Sequence, residues 1–218
     1  MLMLSNTIGK ICQAILDLIV RGISLLRINP NFLTFIGFII TLLAAVYLAQ
    51  GMFLHAGVVI IFSSIFDILD GKVARVTNSE TKFGAFFDSV LDRYSDMALF
   101  LGLIIHYSRF QQMTYVVLAG IVMMGAVMTS YTRARAESLI PSCKVGFLER
   151  PERLVLLIIG TLFNKMAPVL WVMAVMSNLT VAHRIFQTWN QTSKVASLQD
   201  SPNSLGSKVN TLKSKNPN

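Results

Sequence analysis

Long apolar segments separated by short polar ones fill most of the chain between residues 32 and 182. The apolar runs cover residues 32–50, 53–69, 97–107, 113–130, 154–163 and 166–182. A transmembrane helix needs about 20 mostly apolar residues, and each run reaches that length when its polar flanks are included. We therefore predict an all-α membrane protein with six transmembrane helices.

The amino-terminal segment, residues 1–27, follows a different pattern. Its polar residues recur every three or four positions, at Asn6, Lys10, Gln13, Asp17, Arg21 and Ser24. This period places them on one side of a helix, with isoleucine and leucine side chains off that stripe. We predict an N-terminal amphipathic interfacial helix that lies flat on the membrane surface.

The carboxyl-terminal segment, residues 190–218, is rich in Asn, Ser, Lys and Pro and has few apolar residues. Such a segment cannot bury enough apolar surface to fold, so we predict a disordered cytoplasmic tail. The predicted organisation is then an amphipathic juxtamembrane helix at 1–27, one six-helix domain at 28–189, and the tail.

Composition and charge agree with a membrane protein. The 218 residues are 54% hydrophobic and only 14% charged, whereas soluble domains have about 25% charged residues. If the amino terminus is inside, every Lys and Arg except Arg109 and Lys165 falls on the cytoplasmic side. The net charge of +8 therefore indicates topology and contact with anionic lipid rather than nucleic acid binding. We predict an integral protein of the cell (inner) membrane with both termini in the cytoplasm.

Five aspartates stand out at the predicted inner ends of the second and third helices. Asp67 and Asp70 are three residues apart, and Asp88, Asp92 and Asp96 are four apart, so each set shares one helix face. Like charges at the edge of hydrocarbon repel each other and are costly to desolvate. A divalent cation would offset them, and oxygen ligands favour Mg²⁺ or Mn²⁺ over zinc. The alternative is a pair of hydrated helix ends whose carboxylates pair with nearby basic residues.

The residues around these aspartates fit the pattern D-x-x-D-G-x-x-A-R-x8-G-x3-D-x3-D at every specified position. The matching residues are Asp67, Asp70, Gly71, Ala74, Arg75, Gly84, Asp88 and Asp92. The small residues leave space for a ligand against the backbone, and the arginine can form a fork to a phosphate. The stretch resembles the signature of the CDP-alcohol phosphotransferase family, and the resemblance extends over residues 30–189.

This resemblance implies a donor, CDP-diacylglycerol, whose CDP group lies across Asp67, Gly71, Ala74, Arg75 and Gly84. It further implies that four aspartates bind the metal, namely Asp67, Asp70, Asp88 and Asp92. Asp92 would also act as the catalytic base, and the protein would form a homodimer. The phrase N-P-N-F-L-T resembles the family's P-N-x-x-T pattern, in which Asn31 and Thr34 contact the nucleotide; an ordinary helix start at Pro30 has the same appearance.

A second cluster of basic residues bears on the acceptor alcohol. Its members are Arg133, Arg135, Arg150, Arg153 and Arg184. Arginine suits bidentate contact with a phosphate, although the positive-inside rule or pairing with nearby glutamates would also account for some of them. The phrases Y-x-R-A-R-A-E and E-R-P-E-R resemble those of prokaryotic phosphatidylinositol phosphate synthases. In that branch of the family such arginines are expected to bind the acceptor phosphate.

The resemblance thus implies transfer of a phosphatidyl group from CDP-diacylglycerol to inositol phosphate, which gives phosphatidylinositol phosphate and CMP. Glycerol 3-phosphate carries a phosphate too, so phosphatidylglycerophosphate synthesis is an alternative. A small anion carrier of the membrane would also show intramembrane charges and a basic inner side. A carrier needs polar or broken helices near the bilayer midplane, whereas the carboxylates here cluster at inner helix ends.

Overall fold

The computed structural model of the protein describes residues 29–199 and, before them, residue 22 alone. This part of the chain contains six helices. They are α1 (Pro30–Ala49), α2 (Phe53–Val76), α3 (Lys82–Arg109), α4 (Met113–Glu137), α5 (Arg150–Leu162) and α6 (Met166–Gln199). The predicted amphipathic helix at 1–27 lies outside the described residues, apart from residue 22.

Local sequence explains where the first and third helices begin. Pro30 occupies the first turn of α1, where a missing N–H is harmless, and the Asn29 side chain accepts a hydrogen bond from the Asn31 N–H at 3.0 Å. The Thr81 hydroxyl caps α3 in the same way, by accepting from the Gly84 N–H at 2.9 Å. Both caps fix helix ends that carry predicted site residues.

Four of the six helices are long and apolar enough to cross a membrane, namely α1, α2, α4 and α6. Large apolar side chains on them point outward; Phe62, Val117 and Trp171 are each more than half exposed. In a bundle this apolar, such surfaces match lipid rather than water. The chain is therefore an integral membrane protein. Helix α3 begins with a charged half, and α5 has only 13 residues, so neither meets the same criterion.

Each of the six helices packs mainly against two others. Helix α1 packs against α2 and α3, α4 packs against α3 and α6, and α5 packs against α2 and α6. Small residues allow the closest approach, because a side chain at Gly102 of α3 would collide with the Ala45 carbonyl of α1. The tight α1–α3 contact sets the position of the aspartates on α3.

Helix α6 continues to Gln199, which differs from the expectation of an irregular tail from residue 190. Residues 190–199 contain no Gly or Pro, and the first Pro beyond them is at 202. Nothing in this stretch ends a helix that is already propagating. The remaining tail residues, 200–218, lie outside the described part of the chain.

The connection between α4 and α5 is fastened to α6. The Thr180 hydroxyl, fully buried, accepts hydrogen bonds from the Phe147 and Leu148 N–H groups at 3.0 and 3.1 Å. Gly146 has φ of 150°, and a Cβ there would lie 2.5 Å from Thr180 Cγ2. Glycine is therefore needed for both conformation and approach. The connection leads directly into Glu149 and Arg150.

Replacing Thr180 with Val should loosen this connection. The change leaves two backbone N–H groups without an acceptor, which costs about 1–3 kcal/mol, and amide exchange in residues 141–149 should accelerate. Thr192→Val is the matched control, because the Thr192 hydroxyl bonds only to carbonyls of its own helix. Equal exchange in the two variants would contradict the anchoring role of Thr180.

Candidate active site

The five aspartates lie where the carboxyl-terminal end of α2 faces the first half of α3. Asp70 and Asp96 are buried, with 6% and 4% of their surface exposed. A Cβ added at Gly37 of α1 would lie 3.2 Å from Asp67 Oδ1, so a glycine here makes room for that carboxylate. The aspartates, which are three or four residues apart in the sequence, thus lie on two helices that face each other.

Arg150 joins carboxylates from both helices. Its Nη2 lies 2.9 Å from Asp67 Oδ2, and its Nη1 lies 2.8 Å from Asp92 Oδ1. Its Nε is 3.8 Å from Asp96 Oδ1. Sequence reasoning grouped Arg150 with the acceptor arginines, but its guanidinium is engaged by the aspartates. The positive charge that these carboxylates require comes from the first residue of α5.

The carboxylates form a set of hard oxygen donors, which is the chemistry that a divalent cation such as Mg²⁺ or Mn²⁺ prefers. Asp70 Oδ2 is buried and has no hydrogen-bond partner within residues 29–199. In that same range no three acidic, histidine or cysteine side chains converge closely enough to enclose an ion. The Arg150 guanidinium instead occupies the space between Asp67 and Asp92. The donor set fits a divalent cation chemically, and Arg150 is the cation that Asp67 and Asp92 contact.

A cavity of about 530 Å³, the signature cavity, opens between the start of α1, the end of α2 and the start of α3. The predicted residues that line it are Asn31, Thr34, Asp70, Gly71, Ala74, Arg75, Gly84 and Asp88. A Cβ at Gly71 would meet nothing within 4 Å, so this glycine faces open space. A Cβ at Gly84 would lie 2.9 Å from Asn31 Oδ1, so Gly84 lets α3 approach the start of α1. The two signature glycines therefore have different roles.

Arg75, at the rim of the signature cavity, forms a single weak ion pair within residues 29–199. Its Nε lies 3.6 Å from Glu80 Oε1, and both side chains are largely exposed. An exposed pair of this kind contributes little free energy. The guanidinium can therefore reach a phosphate in the cavity at small cost.

A second cavity of about 380 Å³, the arginine cavity, lies between α3, α4, α5 and α6. The residues that line it include Asp92, Asp96, Arg133, Glu137, Glu149, Arg150, Arg153 and Arg184. One helical turn of α3 separates Asp88 in the signature cavity from Asp92 in the arginine cavity. The last aspartate of the signature therefore lines the arginine cavity, one turn away from the signature cavity.

Arg135 lies in a separate groove beside Trp189, and its Nη1 donates to Ser138 Oγ at 3.3 Å. Residues two apart on a helix point in nearly opposite directions, about 200° around the axis. Arg133 and Arg135 therefore face different sides of α4. Helix geometry alone was a signal that these two arginines do not share one pocket.

Arg184 is buried, and each of its three nitrogens has a protein partner. Its Nε donates to the Val145 carbonyl at 2.7 Å, Nη1 donates to the Thr129 carbonyl, and Nη2 lies 2.6 Å from Glu149 Oε1. These bonds tie the α4–α5 connection to α4 and α6. Arg184 is thus a structural bridge at the wall of the arginine cavity.

Arg153 is buried too, but, unlike Arg184, it has nitrogens without a protein partner among the described residues. Only 1% of its surface is exposed, and its Nη2 lies 2.5 Å from Asp96 Oδ2. Its Nε and Nη1 are buried and find no hydrogen-bond acceptor among the described residues. A buried guanidinium with spare N–H groups beside a cavity is suited to binding an anion. Sequence reasoning named Arg153 but missed the importance of its partner, which lies outside the signature.

Comparison with known proteins agrees with this architecture. A family model described as CDP-alcohol phosphatidyltransferase matches residues 27–189. The archaetidylinositol phosphate synthase of Pyrococcus horikoshii is 35% identical over 186 residues, which are 85% of this chain and 96% of that protein.

Two crystal structures of the phosphatidylinositol phosphate synthase of Mycobacterium tuberculosis are similar in fold. The complex with CDP-DAG has a TM-score of 0.76 at 29% identity, over 81% of this chain and 94% of that one. The complex with manganese and citrate has a TM-score of 0.72 at 30% identity, over 78% and 87%. The signature, the helical architecture and these matches agree, and the chain belongs to the CDP-alcohol phosphatidyltransferase family.

Proposed function

We propose that the protein transfers the phosphatidyl group of CDP-diacylglycerol to inositol phosphate, with phosphatidylinositol phosphate and CMP as products. The observation that carries this proposal is the pair of cavities on either side of one helical turn, Asp88 to Asp92. One cavity has the family signature and the other has arginines, which suits two phosphate-bearing substrates. Family membership favours this enzyme over the anion-carrier alternative.

The signature cavity is the proposed donor site. Asn31, Thr34, Gly71, Ala74 and Arg75 would surround the CDP group, and the acyl chains would remain in the lipid outside the bundle. The open space at Gly71 supports this assignment, because a bulky nucleotide can lie close to the backbone where no side chain is in the way. The similar M. tuberculosis enzyme was crystallised with CDP-DAG, which also supports it.

The arginine cavity is the proposed acceptor site. Arg153 has buried N–H groups without an acceptor, and Arg133 and Arg150 line the same space. Arg184 would contribute by holding the cavity wall, and the role of Arg135 as an acceptor ligand has no support from its separate groove. The relatives are named for products that carry inositol phosphate, which favours that acceptor.

The chemistry follows from the position of Asp92 in the arginine cavity, one helical turn from the signature cavity. The inositol hydroxyl oxygen attacks the phosphorus that bears diacylglycerol, and the bond from that phosphorus to CMP breaks. Asp92 takes the hydroxyl proton, as a general base within reach of the acceptor. The two cavities hold both reactants next to each other, which removes much of the entropic part of the barrier.

A divalent metal would be held by Asp67, Asp70, Asp88 and Asp92, and when bound it would neutralise charge on the diphosphate and the leaving CMP. The M. tuberculosis complex with manganese supports a divalent ion, and Mg²⁺ or Mn²⁺ suits the oxygen donors. Arg150 now contacts Asp67 and Asp92, so it competes with the metal for these two carboxylates.

We also propose that all six described helices cross the inner membrane, with the site facing the cytoplasm. In the predicted topology every Lys and Arg except Arg109 and Lys165 falls on the side of the aspartates, as expected for a cytoplasmic side. Helix α5 is about 20 Å long, which is shorter than the roughly 30 Å hydrocarbon core of a bilayer, so its crossing requires local thinning of the membrane or flanking residues that complete the span. Family resemblance further predicts a homodimer.

Incubation of the purified protein with labelled CDP-diacylglycerol and one acceptor at a time tests the proposed function. We expect release of CMP and formation of a phosphatidylinositol phosphate with inositol phosphate. Free inositol should be a poor acceptor, because it has no phosphate for the arginine cavity. A preference for glycerol 3-phosphate would instead assign the chain to phosphatidylglycerophosphate synthesis.

Removal of divalent metal by a chelator should abolish transfer, and added Mg²⁺ or Mn²⁺ should restore it. The reason is that a bound metal relieves the repulsion between the carboxylates and the diphosphate. Product formation is measured before chelation, after it and after metal addition. Full activity in excess chelator would contradict the metal role of the aspartates.

Asp92→Asn should lower kcat by about 10²–10⁴-fold, because the amide cannot accept the proton. Binding of CDP-diacylglycerol should remain, since Asp92 does not line the signature cavity. Turnover and donor binding are measured separately on the folded variant. Turnover close to that of the parent protein would remove Asp92 from the proposed mechanism.

A further inference from the structure

Asp96 is an aspartate that the family signature does not include. It lies one turn beyond Asp92 on α3, and only 4% of its surface is exposed. A buried carboxylate needs a counter-charge or it is costly to keep ionised. The identity of its partners therefore indicates what Asp96 does.

Both contacts of Asp96 come from α5. Its Oδ2 accepts from Arg153 Nη2 at 2.5 Å, and its Oδ1 lies 3.8 Å from Arg150 Nε. Arg153 is the more deeply buried of the two arginines. The short contact links residues 57 positions apart in the chain, so it depends on how α5 packs against the rest of the bundle.

The contact leaves most of the Arg153 guanidinium unused. Its Nε and Nη1 are buried without a hydrogen-bond partner in the described residues, and the side chain lines the arginine cavity. An arginine carries five N–H donors in a rigid planar fork, so a partner at Nη2 determines where the other N–H groups point. Buried donors left unpaired in this way are normally satisfied by a ligand or water.

We propose that Asp96 is a positioning residue for the phosphorylated acceptor: its carboxylate holds Arg153 so that the remaining N–H groups of that arginine bind the acceptor phosphate. The proposal rests on the proposed function, because it assumes that the arginine cavity receives the acceptor. Asp96 acts through Arg153 and does not touch the phosphate, which it would repel.

A purely structural ion pair would behave differently. Loss of such a pair lowers stability and leaves the KM values of both substrates unchanged. A positioning residue changes the KM of the acceptor selectively, since only the acceptor phosphate senses the orientation of Arg153. The comparison of two KM values on folded protein therefore separates the two roles.

The first experiment is Asp96→Asn, which keeps the shape of the side chain and removes its charge. We expect the KM for inositol phosphate to rise by about tenfold or more, with the KM for CDP-diacylglycerol and kcat changed by less than about threefold. Ser95→Ala is the matched control, because Ser95 is equally buried but lines neither cavity. Unchanged acceptor KM, or a loss confined to kcat, would overturn the proposal.

The second experiment adds Arg153→Gln, alone and together with Asp96→Asn. If Asp96 acts only through Arg153, the double variant should have the same acceptor KM as Arg153→Gln, within about twofold. A further rise would mean that Asp96 acts independently, contrary to the proposal. The double variant also removes the buried charges as a unit, so it remains informative when Asp96→Asn does not fold. In that case a normal acceptor KM in the double variant overturns the proposal.

Direct binding of inositol phosphate, measured by calorimetry without CDP-diacylglycerol, gives a readout that does not depend on turnover. Asp96→Asn should weaken this binding by the same factor as the KM change. If the parent protein prefers glycerol 3-phosphate, the proposed function fails, and the same variants are measured with that acceptor, which has the same phosphate. If the parent uses inositol phosphate and Asp96→Asn binds it normally, only the role of Asp96 fails.

Discussion

Compensation of buried negative charge is the constraint on which this structure depends. Aspartates on α2 and α3 lie at the edge of an apolar bundle, where an uncompensated carboxylate is costly. Arg150 contacts Asp67 and Asp92, and Arg153 contacts Asp96. Both arginines come from the first turn of α5, so the start of this short helix is held against the aspartates. The position of α5 follows from charge as much as from apolar packing.

The same principle orders the connection before α5. Glu149 forms a capping box with Glu152 at the start of the helix and also contacts Arg184 at 2.6 Å. Arg184 in turn binds two backbone carbonyls, one in the connection and one on α4. One glutamate therefore joins a local helix cap to a long-range ion pair. This arrangement gives the arginine cavity rigid walls, which a small charged substrate requires for selective binding.

The two cavities have different designs. In the signature cavity, small residues and one exposed arginine come from consecutive turns of one helix, α2. The arginine cavity combines side chains from four helices, and its charges are largely paired with one another. A ligand in the first cavity meets open backbone, whereas an anion in the second must fit among ion pairs already formed. Arg153 Nε and Nη1, together with Arg150 Nε, are the buried guanidinium N–H groups of that set that remain without a hydrogen-bond acceptor among residues 29–199.

The sequence by itself determined the helices of the described residues and their apolar surfaces, because these depend on period and length within single segments. The family pattern named residues that share one cavity, among them Asp70, Gly71 and Asp88, whereas Asp67, which was named with them, does not line it. Tertiary structure alone decided which arginine meets which carboxylate. Arg150 was grouped with the acceptor ligands, yet it contacts Asp67, which is 83 positions away in the chain. Arg184 was grouped with them too, and its guanidinium nitrogens bond to protein groups such as the Val145 carbonyl. Such pairs depend on how helices that are distant in the chain pack together, and a local sequence pattern does not specify that packing.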